Sequence, residues 1–239
     1  MTIRVGIIGY GYAAKTFHIP LLSSIPVFQI VRIATSGKGR VPPVHPLIPI
    51  VTDAHLIVEA SDVDLVVIAT PNDSHAHWAI AALKAGKHVV VEKPFALDVA
   101  EARSVMQIAI ESGRLLSVFH NRRWDSDYLS VRAAIESGAI GRVAHFESHF
   151  DRFRPAVQDR WRERAGPGSG IWFDLAPHLV DQALQLFGPP QAIEANFATL
   201  RECPGDRLGP CRVALRCPSR CSARQHVGRR RIAAFRRPR

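Results

Sequence analysis

Residues 3–14 read Ile-Arg-Val-Gly-Ile-Ile-Gly-Tyr-Gly-Tyr-Ala-Ala, and they set the architecture of the first half of the chain. The apolar run up to position 8 predicts a strand buried on both faces, and residues 12–24 predict a helix that Pro20 kinks or ends. Between them, Gly9 permits a tight bend and Gly11 lets the backbone approach a ligand. A strand, a glycine turn and a helix in this order are typical of a pyrophosphate-binding unit, in which the helix N-terminus supplies N–H donors.

Further apolar runs alternate with helical segments along the first half of the chain. The strands are predicted at 28–34, 50–52, 64–69, 88–91 and 115–119, and the helices at 53–60, 74–85 and 98–112. This alternation indicates βαβ units and a parallel sheet. The fold class is therefore α/β, with an N-terminal Rossmann doubly wound parallel sheet in residues 1–119. Such sheets bind ligands beyond the carboxyl ends of their strands.

The end of the second strand favours NADP over NAD as the cofactor. Residues 34–40 contain no acid, whereas NAD-preferring folds place an Asp or Glu here to bind the ribose 2′-hydroxyl. The hydroxyls of Thr35 and Ser36 and the cations of Lys38 and Arg40 suit a 2′-phosphate instead. The alternative is a solvated basic loop.

The turn Thr70-Pro71-Asn72 follows the fourth predicted strand, and we interpret it as a wall against the cofactor. Asp73 or Ser74 can cap the following helix. His75 and His77 form a histidine pair without further nearby ligands, so no metal site is predicted.

Nine units of the net charge of +10 come from the end of the chain. Residues 202–239 hold 11 arginines, two acids and all four cysteines, while residues 1–201 hold 20 basic and 19 acidic residues. This tail has no period that we can assign to a strand or helix, and we expect it to be disordered. An arginine tail that binds nucleic acid and a zinc-binding tail are alternatives, but the cysteines lack paired Cys-x2-Cys spacing. The hypothesis that we favour is a shift of reading frame near residue 202. It predicts a truncated, aggregation-prone sheet and is tested by translating the gene in the other frames.

Two later motifs carry a resemblance to a known family. Glu92-Lys93-Pro94 follows the fifth strand, and Ile171-Trp-Phe-Asp174-Leu-Ala-Pro-His178 lies further along. Together with the glycine turn, they resemble the Gfo/Idh/MocA oxidoreductases over residues 1 to about 201. The segments 9–20, 118–125 and 150–155 are similar to the NADP-dependent scyllo-inositol dehydrogenase branch of that family.

The resemblance implies an oxidoreductase that moves hydride between NADP and a carbinol of a polyol or sugar. Lys93, Asp174 and His178 are the candidate catalytic residues. Asp174 and His178 are four residues apart and share one helix face, and Asp181 adds a third polar group. The opposite face is apolar, with Val180, Ala183, Leu184 and Phe187. An imidazole suits general acid–base chemistry, and the Lys93 ammonium can stabilise a developing alkoxide. Alternatively, Lys93 takes the proton and His178 stabilises the alkoxide. A purely structural alternative is that Asp174 caps the helix and His178 is a hydrogen-bonded helix histidine.

The candidate cofactor-binding residues share positions at strand ends. They are Gly9, Tyr10, Gly11, Tyr12, Ala13, Thr35, Ser36, Lys38, Thr70, Pro71, Asn72, His75, Glu92, Lys93 and Asn121. Arg122 and Arg123 either join Asn121 near the cofactor or form a salt-bridge cluster in the domain linker. Arg152, Arg154, Arg160, Trp161 and Arg162 either close on ligand oxygens or form a solvated face.

Residues 120–201 predict an incomplete C-terminal α+β sheet domain. Its elements are helices at 126–138 and 174–187 and strands at 142–153 and 191–200, with a loop at 166–170. We expect no membrane span, no secretory signal, a cytoplasmic location and a small-molecule substrate rather than nucleic acid. The family implies a homo-oligomer, which the shortened sheet puts in doubt. A truncated nucleotide-binding protein without turnover is the main alternative function.

Overall fold

The computed structural model describes residues 1–36, 48–150, 156, 159, 161–164, 166–197, 211–216 and 222–226. The chain divides into two units, Met1–Phe119 and His120–Arg239. We describe each unit by itself. In the described residues, no helix is both long and apolar enough to cross a membrane.

The first unit is built on a six-stranded parallel sheet. Its strands are β1 (Ile3–Ile8), β2 (Phe28–Ala34), β3 (Ile50–Val51), β4 (Leu65–Ile68), β5 (His88–Glu92) and β6 (Leu116–Phe119). Their order in the sheet is β3-β2-β1-β4-β5-β6, and every neighbouring pair is parallel. This is the strand order of a doubly wound dinucleotide-binding fold, so the predicted α/β class is confirmed.

Apolar side chains cover the sheet on both faces. Val66 and Ile68 of β4 pack into one buried cluster, and Val67 between them packs into the other. Successive side chains of a strand point to opposite faces, so a strand buried on both sides must be apolar at consecutive positions. The uninterrupted apolar runs of the sequence have this cause.

Helices connect the strands of the first unit. They are α1 (Ile19–Ser24), α2 (His55–Val58), α3 (His75–Lys84) and α4 (Val99–Ser112). The backbone N–H of Glu101 donates to the Asp98 carboxylate at 2.8 Å, which caps the start of α4, and Gly113 ends it in the left-handed conformation with φ +63°.

The first predicted helix differs from the expectation. Residues Ala14–His18 form a π-helical turn, closed by a hydrogen bond from the Ile19 N–H to the Ala14 carbonyl, and α1 follows it directly. Pro20 lies in the first turn of α1 and does not end the helix. Proline has no N–H to lose, and the first turn of a helix leaves that donor unused.

The second unit contains helices α5 (Ser126–Glu136) and α6 (Gly170–Phe187) and a four-stranded mixed sheet. The strands are β7 (His145–His149), β8 (Ala192–Phe197), β9 (Cys211–Arg216) and β10 (Ser222–His226), in the order β7-β10-β9-β8. Strand β10 is parallel to β7, and β9 is antiparallel to both β10 and β8. An α+β sheet domain was predicted here.

The tail departs from the prediction that it holds no regular element. Strands β9 and β10 lie within residues 202–239 and pair with each other from Ser222–Arg216 to His226–Arg212. Val213 and Leu215 alternate with polar or small residues over only six positions, a pattern too short to stand out from its arginine-rich surroundings. The hydrogen bonds between the paired backbones stabilise these strands, although their apolar alternation is weak.

Helix α6 begins four residues earlier than predicted, at Gly170. Its buried face is only partly the predicted one: Ala183 is buried and Phe187 packs in the same cluster, as expected. The buried side includes Leu175, Leu179 and Ala183, whereas Leu184, which was assigned to the apolar face, is exposed. The position of an amphipathic helix is set by what packs against it. Phe150, which lies outside the helix, packs in one apolar cluster with Ile171, Trp172, Leu175, Ala176 and Leu179 of α6.

Candidate active site

The glycine turn after β1 leaves open space on its outer side. Gly9 has φ +102°, and a Cβ built on it would lie 2.4 Å from the Ala69 carbonyl oxygen, so only glycine fits between these strand ends. A Cβ built on Gly11 would meet no heavy atom within 4 Å. Close approach of a pyrophosphate to the backbone needs such an opening. The turn therefore fits a dinucleotide cofactor.

Two tyrosines of the turn offer aromatic surface beside Gly11. The Lys15 ammonium lies 4.4 Å from the centre of the Tyr10 ring. The Tyr12 ring is 72% exposed and meets Phe17 edge-on at 6.0 Å between centroids. Ala13 is half-buried and immediately precedes the π-helical turn.

The end of β2 lies beside the glycine turn. The Gly9 N–H donates to the Ala34 carbonyl at 2.9 Å, and the Thr35 N–H donates to the Val51 carbonyl at 2.9 Å. Ser36 is exposed and Thr35 half-buried. The other two residues predicted to meet a 2′-phosphate, Lys38 and Arg40, lie outside the described residues.

The turn after β4 is held by its own side chains. The Ser74 hydroxyl lies 2.8 Å from the Thr70 hydroxyl and 2.9 Å from the Pro71 carbonyl oxygen. Ser74, one of the two predicted caps, is the N-cap residue of α3, but its side chain makes no capping hydrogen bond. The hydroxyl instead closes the turn that carries the buried side chain of Asn72.

His75 makes contacts that the sequence did not predict. Its side chain is completely buried, with Nδ1 2.8 Å from the Pro94 carbonyl oxygen and Nε2 3.0 Å from the Thr70 carbonyl oxygen. The ring therefore joins the segments that follow β4 and β5. A direct contact between His75 and the cofactor remains a prediction; the observed partners are both backbone carbonyls.

Glu92, at the end of β5, is held in a buried hydrogen-bonded pair with His18. Its Oε1 lies 2.9 Å from His18 Nε2, and its Oε2 accepts the Lys93 backbone N–H at 3.2 Å. The His18 and Glu92 side chains are 4% and 11% exposed. Both carboxylate oxygens thus have protein partners, although Glu92 was predicted to contact the cofactor. That contact also remains a prediction.

Sequence reasoning missed His18. It lies 74 residues before Glu92, so no local spacing connects the two residues. The signal that was available is a polar residue at a helix position whose neighbours, Ala14 and Ile19, are buried in the apolar core. A buried histidine needs a hydrogen-bond partner, but the sequence does not show which one.

In the second unit, helix α6 carries Asp174 and His178. His178 is 6% exposed and lies beside Leu175 and Leu179, with the Phe150 ring edge-on at 6.4 Å. Asp174 is half-buried, one turn earlier. Lys93 belongs to the first unit and this pair to the second, so their joint action remains a prediction.

Asp181 has a different role from the one expected. The Arg123 guanidinium donates two hydrogen bonds to the Asp181 carboxylate, from Nε to Oδ2 at 2.7 Å and from Nη2 to Oδ1 at 2.5 Å. His120 Nδ1 lies 3.7 Å from Asp181 Oδ2. The Asp181 carboxylate raises the pKa of Arg123, chiefly through these hydrogen bonds. Asp181 thus ties α6 to the start of the unit, and it is not a third ligand-facing group.

The other linker cations also have local partners. Arg122 pairs with Asp125 at 2.7 Å, and its guanidinium lies 4.8 Å from the Phe150 ring centre. These contacts favour the salt-bridge interpretation of Arg122 and Arg123. Asn121 opens the short turn Asn121–Trp124 and is half-buried. Trp161 is also half-buried, whereas the side chains of Arg152, Arg154, Arg160 and Arg162 lie outside the described part of the chain.

Comparison with curated proteins finds relatives in bacteria. The uncharacterised oxidoreductase YdgJ of Escherichia coli (strain K12) is 53% identical over 199 residues, which cover 83% of this chain and 58% of YdgJ. The scyllo-inositol 2-dehydrogenase (NADP(+)) IolW of Bacillus subtilis (strain 168) is 40% identical over 201 residues, which cover 84% of this chain and 56% of IolW. The chain therefore spans a little over half the length of these relatives.

Solved structures give the same picture. The YPO2259 protein of Yersinia pestis matches with a TM-score of 0.86 and 44% identity, over 95% of this chain and 64% of that protein. The YvaA protein of Bacillus subtilis matches with a TM-score of 0.88 and 37% identity, over 95% and 64%.

Two family models match the chain. The model for the oxidoreductase family with an NAD-binding Rossmann fold matches residues 3–120, and the model for the GFO/IDH/MocA C-terminal domain matches residues 128–234. The first match begins on β1, includes the glycine turn and ends just after β6, and the second extends into the tail. The chain belongs to the Gfo/Idh/MocA family of oxidoreductases.

Proposed function

We propose that this chain binds NADP and transfers hydride between NADP and a carbinol of a polyol or sugar such as scyllo-inositol. The observation that carries the proposal is the common sheet edge of the glycine turn and Lys93. The turn follows β1 and Lys93 follows β5, and the carboxyl ends of parallel strands lie at one edge. A cofactor held at Gly11 and a cation at the same edge are two of the groups that such a reaction needs, and the third is an acceptor for the hydroxyl proton.

The preference for NADP has two supports. Residues 34–40 contain no acid that would repel a 2′-phosphate, and they include two hydroxyls and two cations. The relative IolW is an NADP(+) enzyme. We expect NADPH to bind at least about tenfold more tightly than NADH, a difference of about 1.4 kcal/mol.

The reaction converts a secondary alcohol and oxidised NADP into a ketone, NADPH and one proton. When bound, NADP supplies the hydride acceptor, nicotinamide C4. In the proposed mechanism the His178 imidazole takes the hydroxyl proton, and the Lys93 ammonium stabilises the negative charge that develops on the oxygen. Asp174, one helical turn from His178, orients the substrate hydroxyls. The chemistry also allows Lys93 and His178 to exchange roles.

Binding without turnover is the second candidate function. The match covers 58% of YdgJ and 56% of IolW, so a large part of each relative has no counterpart in this chain. If that part completes the substrate site, NADPH binds but no polyol is oxidised. A homo-oligomer and a cytoplasmic location are further proposals, the first from the family and the second from the absence of cysteine in residues 1–201.

Three measurements on the full chain test these proposals. NADPH and NADH are titrated by fluorescence, and NADP reduction is then followed with a panel of inositols and pyranoses. In the third, Lys93→Met is compared with Lys84→Met, a matched control at an exposed helix end. We expect Lys93→Met to lose turnover by at least about a hundredfold, with a loss of NADPH affinity below about tenfold, and Lys84→Met to behave as wild type. NADPH binding without turnover on any substrate supports the second candidate, and no binding of either cofactor contradicts both.

A further inference from the structure

Two buried histidines contact the Glu92-Lys93-Pro94 segment from helices on the two faces of the sheet. His18 ends the π-helical turn, whose Ala14 and the following Ile19 pack into one apolar cluster. His75 begins α3, whose Ala79 packs into the other cluster. Each ring reaches a different atom group of the same three-residue segment.

On the first face, His18 fixes Glu92. A carboxylate only accepts hydrogen bonds, so the hydrogen of the 2.9 Å contact lies on His18 Nε2 when Glu92 is ionised. The other carboxylate oxygen accepts the Lys93 N–H at 3.2 Å. The His18 ring also packs on Phe119, with 4.2 Å between ring centroids, and Phe119 is the β6 partner of Glu92. His18 thus reaches the backbone of Lys93 through one carboxylate.

On the second face, His75 fixes Pro94. Its Nδ1 lies 2.8 Å from the Pro94 carbonyl oxygen, and its Nε2 lies 3.0 Å from the Thr70 carbonyl oxygen. The ring is completely buried, so no water competes for either contact. His75 thus fixes the residue after Lys93 relative to the turn that follows β4.

We propose that His18 and His75 are positioning residues, which set the location of the Lys93 ammonium by holding the residues on either side of it. Both neighbours of Lys93 are fixed to buried rings, so the direction in which its side chain leaves the sheet edge is fixed as well. The inference deepens the proposed function and rests on it for the role of Lys93 in turnover. Displacement of a reacting group by about 1 Å reduces a rate by about a hundredfold, so such residues act on kcat without touching the substrate.

The first experiment needs no cofactor. The full chain is treated briefly with an amine-acylating reagent, and the labelling of Lys93 relative to the exposed Lys84 is measured by peptide mass spectrometry. We expect His18→Leu and His75→Leu to raise this ratio at least about threefold, because each releases one side of the segment. His18→Gln keeps an N–H donor for Glu92 and is expected to restore the wild-type ratio.

Matched controls separate positioning from loss of stability. Ile19 directly follows His18, and Leu83 lies in α3, which begins at His75. Ile19→Ala and Leu83→Ala therefore remove buried apolar groups from the same helical segments without removing a hydrogen bond to Glu92-Lys93-Pro94. We expect both controls to melt at lower temperature but to keep the wild-type labelling ratio. If His18→Leu does not fold, His18→Asn replaces it, because its shorter amide stays polar but does not reach Glu92.

The second experiment measures turnover and binding with the same variants. We expect kcat to fall at least about tenfold in both leucine variants, with KM for the polyol and Kd for NADPH changed less than about threefold. Equal labelling ratios in the wild type, the leucine variants and His18→Asn would overturn the inference, as would a kcat that falls equally in the controls. Failure of the wild type to turn over any polyol counts against the proposed function alone, because the labelling ratio is measured without substrate.

Discussion

Replacement of Gly9 by alanine disturbs a position where the backbone leaves no room. The φ of Gly9 is +102°, and the added Cβ would lie 2.4 Å from the Ala69 carbonyl oxygen and 3.0 Å from the Thr70 nitrogen, so backbone atoms must move. A positive φ costs a residue with a Cβ about 1–2 kcal/mol, and an extra methyl group in a packed site costs about 1–3 kcal/mol. We therefore expect Gly9→Ala to lower the free energy of unfolding by about 3 kcal/mol, or roughly 10 °C in Tm.

Gly11→Ala is the matched variant two residues away. Its Cβ would meet no protein atom within 4 Å, so we expect the free energy of unfolding to change by less than about 0.5 kcal/mol. The same methyl group would stand in the opening that a pyrophosphate needs. We expect NADPH affinity to fall at least about tenfold, which is about 1.4 kcal/mol.

Urea unfolding measures the stability of both variants, and NADPH fluorescence measures their affinity. The expected result is a crossed pattern, in which Gly9→Ala loses stability and Gly11→Ala loses affinity. Wild-type affinity in Gly11→Ala would show that the cofactor does not lie over this turn. A wild-type Tm in Gly9→Ala would show that the close approach to Ala69 is absent.

Three further predictions concern charged groups. Hydrogen bonds from Arg4 hold the pKa of Asp64 well below its usual range, and because both side chains are more than a third exposed, Asp64→Asn should lower stability by only about 0.5–1 kcal/mol at neutral pH. The pKa of Asp64 is lower in the folded than in the unfolded chain, so its contribution to stability is complete above about pH 4 and disappears as the pH falls through the folded value. The difference in the free energy of urea unfolding between wild type and Asp64→Asn should therefore be smaller at about pH 2.5 than at neutral pH. A difference that does not change with pH would contradict the pairing. Asp181→Asn weakens the paired hydrogen bonds with Arg123 and should lower the free energy of thermal unfolding by about 1–3 kcal/mol without changing NADPH affinity. A loss of NADPH affinity without a loss of stability would instead indicate that Asp181 faces a ligand. Asp98→Ala removes the N-cap of α4 and should cost about 1 kcal/mol in urea unfolding, which Asp98→Ser should largely recover.

The strands of the first unit could be predicted from the sequence because most of them are short, largely apolar runs, of which β4 is wholly apolar. A parallel strand buried on both faces is apolar at most positions, so a glycine or a polar residue marks its end, as Gly9 does after β1, Thr35 after β2 and His120 after β6. The predicted ends of β1, β2, β4, β5 and β6 fall within one residue of the observed ones. Strand β3 has only two residues and was correspondingly weak in the sequence.

The second unit was less predictable because its elements depend on partners far along the chain. Strand β10 pairs with β7, although Ser222 and His145 are 77 positions apart. Phe150 packs on the first half of α6 and Phe146 on Ala183, so the helix buries Leu175 and Leu179 as well as Ala183, whereas the helix pattern alone predicted an apolar face that also included the exposed Leu184. In both cases the local sequence is compatible with more than one arrangement, and packing selects one.

The sequence by itself determined the sheet class, the glycine turn and the positions of Glu92-Lys93-Pro94 and Asp174–His178, because each depends on neighbouring residues or on one helical turn. Only the tertiary structure decided what the buried polar groups do. His18 pairs with a residue 74 positions away and Asp181 with one 58 positions away, and one of the two partners of His75, Pro94, is 19 positions away. A buried charge or ring nitrogen must find a hydrogen-bond partner, but chain folding alone determines which partner comes within about 3 Å.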